Sequence, residues 1–273
     1  MGSEHKIRYW QSAGCTFFRF DCASHGLALK KIFHEGIFIG AVEDSVWVSK
    51  QNGKSYTETP ETLILRDEGR VFSVQSSRVA DKGGVVRGLL VQEDNLKKLY
   101  RTHEKQDIPL FDFATPIIEN KLLRDAFVAM HFTVEKHARQ QESEAPIVNF
   151  IKKLVAYMGA RQIEPLPEKK CLSRDIINYI RNHYGENITL DDFVELTSCN
   201  SFVLMRQFRK EIGCTPHDYL HMYRIARAKE HIARGNALSE VADLCGFADQ
   251  SHLTRCFKRL VGVTPGQFLP LGA

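Results

Sequence analysis

Two arginines, Arg206 and Arg255, lie 49 residues apart in segments of similar sequence. A guanidinium group is always charged and presents a planar set of donors, which suits it to guanine edges and to phosphate oxygens. A phenylalanine follows each arginine two residues later, Phe208 in the first segment and Phe257 in the second. On a helix this spacing puts arginine and phenylalanine on opposite sides. The pattern therefore indicates two helices that each bury an apolar side and present hydrogen-bond donors to a polyanion.

The similarity between the two segments extends over residues 190–268. Three apolar residues of each segment recur after 48 residues: Leu190 with Leu238, Phe193 with Val241 and Leu196 with Leu244. The later residues recur after 49: Arg206 with Arg255, Phe208 with Phe257, Gly213 with Gly262, Thr215 with Thr264 and Pro216 with Pro265. One additional residue in the second turn accounts for the difference, so the spacing predicts a tandem repeat of one structural unit.

Each copy is predicted to form two short helices around a sharp turn. In the second copy Gly246 ends the first helix, where a left-handed residue costs little, and Asp249 is placed to cap the next helix. Leu253 and Phe257 then form the inward face of that helix. Both copies close with Gly, one residue and Thr-Pro, which ends one helix and starts another. A helix-turn-helix unit of this shape presents its second helix to the major groove of DNA.

The residues predicted to contact DNA lie on the outer faces of the two second helices. They are Ser201, Phe202, Met205, Arg206 and Arg209 in the first copy and Gln250, Ser251, His252, Thr254, Arg255 and Lys258 in the second. The apolar start of the first face leaves two interpretations. Phe202 and Met205 contact thymine methyl groups, or the first copy positions the protein on phosphates while the second reads bases. The second interpretation is favoured.

The second copy, GFADQSHLTRCFKRLVGVTPGQF (residues 246–268), closely resembles the AraC/XylS family of bacterial transcription regulators. The family pattern there is Gly-Phe, a few polar residues, Ser, an aromatic residue or Leu, Arg, Phe-Lys, Gly and Thr-Pro. The resemblance implies an all-helical DNA-binding domain over residues 171–273, with a long helix between its two motifs. It also implies promoter DNA and RNA polymerase as partners and activation as the output.

The length of 273 residues accommodates two domains that each bury a core. The predicted boundaries are a sensing and dimerisation domain at residues 1–162, a linker at 163–170 without apolar periodicity, and the DNA-binding domain at 171–273. The net charge is only +4, so clustering of basic residues on the presented helices matters more than their excess. No apolar run has the length of a membrane span and the N-terminus does not resemble a signal peptide, so a cytoplasmic location is expected.

The cysteines and histidines are interpreted as structural. Seven cysteines include no CxxC pair. None of them is interpreted as paired with a histidine at a metal-binding spacing. The odd count argues against a disulfide framework. A catalytic metal in a β-barrel needs two histidines alternating on one strand plus a further His and a carboxylate, and the sequence has no His-x-His. No catalytic residue, metal site or cofactor is predicted, and an enzymatic role is not expected.

Residues 8–112 show the short alternating runs of β-strands. Turn residues at 51–54 and at 82–84 predict two hairpins. Many short strands are typical of a barrel or jelly roll, and VWVSKQNGKSYTETPETLIL (residues 46–65) resembles the sugar- and acid-sensing barrel found in many AraC/XylS regulators. The residues available for an effector pocket inside it are Phe18, Arg19, Phe20, Trp47 and Tyr56. Taken singly, each of these aromatic residues is also compatible with plain core packing.

The period becomes helical from residue 119 to about residue 141. Leu123, Phe127, Met130 and Val134 step by four, three and four along an apolar seam. A second helix is predicted from Pro146. These helices pack on each other, on the barrel or on a second subunit. In the family that this chain resembles such helices commonly form the dimer contact, so the four seam residues are predicted to form a homodimer.

The predicted fold class is α+β: an N-terminal β-barrel of the cupin-like jelly-roll type with flanking helices, then an all-α DNA-binding domain. The predicted function is sequence-specific transcription regulation, with a small-molecule effector bound in the barrel. In the alternative, a regulatory protein docks on the N-terminal domain and no small molecule is involved. A barrel lined by polar groups favours the ligand, and a filled barrel favours the partner.

Overall fold

The computed structural model describes residues 5–51, 53–105, 116–137, 144–160, 172–261 and 264–268. The chain divides into two compact units, Met1–Pro167 and Glu168–Ala273. The predicted linker, residues 163–170, lies outside the described residues. Within the described ranges, no helix has both the length and the apolar character needed to cross a membrane.

The alternating runs of the N-terminal unit form ten strands among the residues described. They are β1 (Lys6–Ser12), β2 (Cys15–Cys22), β3 (Ala28–Ile32), β4 (Ile37–Glu43), β5 (Ser45–Gln51), β6 (Lys54–Glu58), β7 (Thr62–Arg66), β8 (Phe72–Val79), β9 (Gly84–Val91) and β10 (Ile117–Glu119). Two antiparallel sheets result, with the orders β1-β2-β9-β4-β7-β10 and β3-β8-β5-β6. Both sheets contribute to one core, which includes Phe38, Ile64 and Trp47.

The two hairpin predictions have different outcomes. The turn at residues 51–54 is confirmed, because Gln51 pairs with Lys54 between β5 and β6. The hairpin at Lys82–Gly84 is wrong, since β8 and β9 belong to different sheets and the chain crosses from one sheet to the other there. A helix, α1 (Glu93–Glu104), also interrupts the region predicted to be all strand. Its mostly polar sequence buries few residues, so its helical period was hard to detect.

Helices α2 (Lys121–His137) and α3 (Ala145–Ala160) bury the apolar seam within their own unit. Leu123, Phe127, Met130 and Val134 are 0–5% exposed and share a core with the six-stranded sheet and with α3. The rings of Phe127 and Phe150 meet at 5.4 Å. The prediction that these four side chains form the dimer contact is therefore wrong, because the seam is already covered by the chain's own sheet and helix.

A buried polar network fastens α2 to the sheet. The Arg87 guanidinium on β9 donates to Glu43 at 2.7 Å and to Glu135 of α2 at 2.8 Å. It also lies 3.2 Å from Nδ1 of His131, whose Nε2 lies 3.0 Å from the Phe18 carbonyl oxygen. These partners favour the neutral His131 tautomer that carries its proton on Nε2. Burial, followed by the charge of Arg87, lowers the pKa of His131 to about 4.

The C-terminal unit is all helical across its described residues. Its helices are α4 (Leu172–His183), α5 (Leu190–Thr197), α6 (Ser201–Ile212), α7 (Pro216–Ala233), α8 (Leu238–Leu244) and α9 (Gln250–Val261). Helix α4 supports the first motif, because it packs on α5 and α6 through a buried face that includes Ile176 and Ile180. The α+β fold class is thereby confirmed, with the antiparallel sheets first and the helices last.

Candidate nucleic-acid interface

The first recognition helix, α6, is set by residues at both ends. The Asn200 side chain accepts a hydrogen bond from the Phe202 backbone N–H at 2.8 Å, and Gly213 ends the helix with φ +95°. Leu204 and Phe208 are fully buried. The opposite side is as predicted: the side chains of Ser201, Phe202, Arg206 and Arg209 are exposed and Met205 is partly buried.

The second recognition helix, α9, repeats this arrangement. Asp249 accepts from the His252 backbone N–H at 2.6 Å, which confirms the predicted cap. Leu253 and Phe257 are fully buried. The predicted contact residues Gln250, Ser251, Arg255 and Lys258 are exposed and Thr254 is partly buried. The Thr254 hydroxyl donates to the Gln250 carbonyl at 2.8 Å, so its proton is already used within the helix.

His252 departs from the predicted outer face. It is partly buried, and its ring lies 5.4 Å from that of Phe247 and 5.6 Å from that of His221 on α7. The side chain thus packs towards the helix that joins the motifs. Its assignment as a DNA contact stays a prediction.

The turn of the second motif requires glycine. Gly246 has φ +70°, and a Cβ built there would lie 2.7 Å from the Tyr184 carbonyl oxygen and 2.8 Å from Nη2 of Arg224. Arg224 in turn donates to the carbonyl oxygens of Tyr184 at 2.7 Å and Glu186 at 2.6 Å. In the first motif Ser198 takes the equivalent left-handed position with φ +52°. The angle between α8 and α9 is therefore fixed by a close backbone approach that only glycine permits.

Helix α7 joins the two motifs and is continuous, as predicted. Thr215 caps it by accepting from the Asp218 N–H at 3.1 Å, and Pro216 occupies its first turn. At one end the Tyr219 ring meets Phe208 of α6 at 5.9 Å. Further along, Ile225 and Ala228 share a core with α8 and α9. Both recognition helices therefore rest on a single helix.

Charge is distributed unevenly over this unit. Exposed basic side chains lie on α6 and α9: Arg206, Arg209, Lys210, Arg255, Lys258 and Arg259. Acidic residues lie on the preceding helices, and Asp192 of α5 has a structural task. It accepts from the Thr189 backbone N–H at 2.6 Å in a capping box, which lowers the pKa of its carboxyl. The acidic groups thus complement helix N-termini, and the basic groups are left to face a polyanion.

The predicted effector-pocket residues do not all face the same way. Phe18, Phe20 and Trp47 belong to the core shared by the two sheets, where the Phe20 and Trp47 rings lie 6.2 Å apart. Tyr56 is partly buried and pairs in register with Ser49. Arg19 is on the other face of β2, where it donates to Asp21 at 2.8 Å and lies 3.9 Å from Glu135. Arg19 is therefore corrected, since strand alternation separates it from its neighbours Phe18 and Phe20.

The core between the sheets contains polar groups that the sequence reasoning missed. Arg66 is 2% exposed, donates to buried Glu58 and stacks 4.0 Å over the Phe72 ring. Its Nε has no hydrogen-bond partner in the described structure, nor do Oγ of Ser49 and Oε1 of Gln51, both on β5. Ser49 and Gln51 alternate with exposed Lys50 on β5. This alternation, two and four residues after inward-facing Trp47, was a signal that could have revealed them.

The geometry defines a class of protein, one that presents two helix-turn-helix recognition helices from one helical unit. A helix-turn-helix domain family matches residues 194–270. The HTH-type transcriptional regulator YbfI of Bacillus subtilis is 29% identical over 225 residues, which cover 81% of this chain and 80% of YbfI. The transcriptional activator RhaR of Salmonella dublin is 30% identical over 105 residues, covering 38% of this chain and 37% of RhaR.

Solved structures show a similar fold over nearly the whole chain. Apo ToxT from Vibrio cholerae superposes with a TM-score of 0.66 at 15% identity, covering 95% of this chain and 98% of that one. At this identity the likeness shows the fold alone. The family match and the sequence relatives identify this chain as a member of the AraC/XylS family of transcription regulators. The chain is a transcriptional regulator with a helix-turn-helix DNA-binding domain.

Proposed function

We propose that this regulator acts in the cytoplasm and activates transcription by binding a two-part promoter site through α6 and α9. The observation that carries the proposal is the pair of exposed recognition faces on one continuous helix. Helix α7 has 18 residues, so at 1.5 Å per residue it is about 27 Å long. Successive major-groove faces on one side of DNA lie about 34 Å apart. The two recognition helices fit adjacent grooves of a duplex that bends slightly.

The two faces suit different tasks. The start of α6 exposes Phe202 at 72%, an apolar group next to the basic Arg206 and Arg209. The start of α9 exposes Gln250, Ser251 and Arg255, which can form directed hydrogen bonds with base edges. We assign positioning on phosphates to α6 and base reading to α9. Activation is supported by RhaR, an activator whose similarity to this chain covers this region, and it requires contact with RNA polymerase. No catalytic role forms part of the proposal.

Binding sites selected from a randomised duplex pool by the full-length chain would test this division. Arg255→Ala is expected to cost about 1–3 kcal/mol on the selected site and to relax discrimination at one base pair. Arg206→Ala should weaken selected and mismatched duplexes alike and reduce the salt dependence. Lys153→Ala, exposed on α3, is the matched control. Equal loss on every sequence for Arg255→Ala would contradict base reading by α9.

For the N-terminal unit we propose a small organic acid as the effector, bound between the two sheets. Three buried atoms support this chemistry: Nε of Arg66 is a charged donor without a partner among the residues described, and Ser49 and Gln51 offer a hydroxyl and an amide oxygen. A buried polar group without a partner costs about 1–3 kcal/mol, so a carboxylate and a hydroxyl arriving there would regain that energy. ToxT, which has a similar fold, has been solved with a bound unsaturated fatty acid.

Tryptophan fluorescence offers a direct assay, because both tryptophans of the chain, Trp10 and Trp47, lie in this unit. Titration with hydroxy acids and with a monounsaturated fatty acid should change the Trp47 emission. Arg66→Leu should abolish the response, whereas Arg78→Leu, exposed on β8, should preserve it. A wild-type chain that responds to none of these acids would favour the alternative, in which a regulatory protein controls the N-terminal unit.

We further propose a homodimer through the outer face of α2 instead of its buried seam. Leu122 and Phe132 on that face are 84% and 56% exposed, and large exposed apolar side chains on one helix favour association. Sedimentation of Leu122→Asp/Phe132→Asp should show a monomer where the wild type shows a dimer. A wild-type chain that is already monomeric at concentrations saturating its DNA site would exclude this dimer.

A further inference from the structure

Two histidines and a cysteine meet where the joining helix α7 packs on the second recognition helix α9. They are His221 of α7 and His252 and Cys256 of α9, and one ligand atom from each lies within 4.8 Å of the other two. His252 and Cys256 are four residues apart on α9, so their side chains share one side of that helix. This pairing was visible in the sequence, and the interpretation that no histidine accompanies a cysteine at metal spacing is corrected here.

His221 supplies a second, independent observation. Its side chain is buried at 6% exposure, and its Nδ1 has no hydrogen-bond partner in the described part of the chain. Buried imidazole nitrogens are normally satisfied. A buried imidazole that has an unpartnered nitrogen and lies beside a second imidazole and a thiol can supply a ligand atom. His217, one turn earlier on α7, is exposed, and its ring centroid lies 4.3 Å from that of His221.

We propose that His221, His252 and Cys256 bind a Zn²⁺ ion, with His217 or a water molecule as the fourth ligand. Imidazole nitrogens and a thiolate are the donors that Zn²⁺ prefers, at about 2.0–2.3 Å in a tetrahedron. Such a tetrahedron has edges of about 3.3–3.8 Å. Zinc binding therefore requires side-chain rotations that shorten the present separations, all within 4.8 Å, to these values. Exposed His217 and partly buried His252 leave an entry path from solvent.

The surrounding charges decide which kind of ion fits. Nη2 of Arg259 donates to Sγ of Cys256 at 3.8 Å, and the buried Arg224 guanidinium is close enough to interact with Cys256 electrostatically. Both guanidiniums repel cations that are held mainly by charge. The site therefore selects a metal bound through nitrogen and sulfur, such as Zn²⁺, over Mg²⁺ or Ca²⁺.

A bound ion would join α7 directly to α9, the helix that carries Arg255. Metal that binds only the folded state stabilises that state by mass action. In the full-length chain the ion is expected to slow opening of α9 against α7, and so to hold the second recognition helix in one orientation. This role is separate from the DNA contacts, because none of the exposed side chains of α9 is used as a ligand.

Co²⁺ titration of the chelator-treated, full-length chain is the decisive experiment. We expect one Co²⁺ per chain, with the visible bands of a tetrahedral site and a thiolate-to-metal charge-transfer band that excess Zn²⁺ removes. Cys256→Ser should eliminate the charge-transfer band. Cys199→Ser is the matched control and should leave the band intact. Cys199 is partly buried between α5 and α6 and belongs to no ligand cluster within the described ranges.

Affinity for Zn²⁺ gives the second readout, measured by competition with a chelator. His221→Ala and His252→Ala should each weaken binding by at least about a hundredfold, because replacing even an outer-shell partner costs about 10–100-fold. Circular dichroism identifies variants that lose helicity. If His221→Ala is one of them, the test rests on His252→Ala, because the His252 side chain is partly exposed. A spectrum without thiolate charge transfer, a band that survives Cys256→Ser, or unchanged affinity in a folded His252→Ala chain would overturn the proposal.

Discussion

Gly246 and Gly235 offer a matched pair for measuring how the second motif is held. Both have positive φ, +70° and +84°. They differ in space: a Cβ at Gly235 would meet nothing within 4 Å, whereas one at Gly246 would crowd Arg224 and the Tyr184 carbonyl oxygen. That carbonyl is itself held by Nε of Arg224 at 2.7 Å. It cannot retreat without losing its hydrogen bond.

The expected magnitudes follow from these contacts. Placing alanine at positive φ costs about 1–2 kcal/mol, and this is the whole effect expected for Gly235→Ala. Crowding a packed site adds about 1–3 kcal/mol, so Gly246→Ala should lower the free energy of local opening by about 3 kcal/mol. Since about 1.4 kcal/mol corresponds to a factor of ten, the second variant should lower local protection by more than about a hundredfold and the first by about tenfold.

Hydrogen exchange of the full-length chain, read by mass spectrometry on peptides from α8 and α9, measures this local opening. Peptides from α2, in the other compact unit, provide an internal control. Gly246→Ala should also lose specific DNA binding, because α9 would no longer be presented at a fixed angle. Equal loss of protection in the two variants would refute the close-approach argument, and no loss in either would refute the cost of positive φ.

The N-terminal unit supports two further predictions, both measured by urea unfolding followed by tryptophan fluorescence. Phe127→Asp should destabilise this unit by more than about 3 kcal/mol because it buries a charge in an apolar core. Lys153→Asp on the exposed face of α3 should leave the urea midpoint nearly unchanged, and similar midpoints for both variants would contradict the core assignment of Phe127. The folded-state pKa of His131, about 4, lies below its ordinary value near 6.5. Its contribution to the free energy of unfolding is therefore fully present above about pH 6.5 and is lost as the pH falls towards 4, by about 3 kcal/mol in all. His131→Gln can keep both hydrogen bonds without titrating, so the urea midpoint of this variant should depend less on pH between 7 and 5 than that of the wild type. An equally steep dependence would show that other groups determine the effect of pH on stability.

The helix-turn-helix half was predictable from sequence because its determinants are local. Apolar spacing places Phe193 and Phe257 on buried faces, and Thr215 and Asp249 cap helices from within their own turns. Each of these signals acts over a few residues, and similar signals occur in both copies of the repeat. The continuous α7 followed from the absence of Gly and internal Pro across its length.

Features that depend on which elements meet were less predictable. The spacing of Phe127 and Met130 shows an apolar seam but not the surface that covers it, and the chain's own sheet proved to be that surface. His221 and His252 are distant in sequence, and only the packing of α7 on α9 brings them together. Arg19 is different, since strand alternation alone was sufficient to separate it from Phe18.

The core shared by α7, α8 and α9 also determines how this regulator tolerates variation in its targets. Ile225 and Ala228 of α7 are packed with Leu253 and Phe257 of α9, so the second recognition helix cannot slide or rotate along α7 without opening that core. In the proposed two-part promoter site, one additional base pair between the half-sites would displace the second half-site by about 3.4 Å and about 34–36° of twist. Because the spacing of the two recognition helices is fixed, the duplex must untwist or bend to bring both half-sites into contact with them. Among sites with the same half-sites, discrimination therefore depends on how easily the untouched base pairs between them deform.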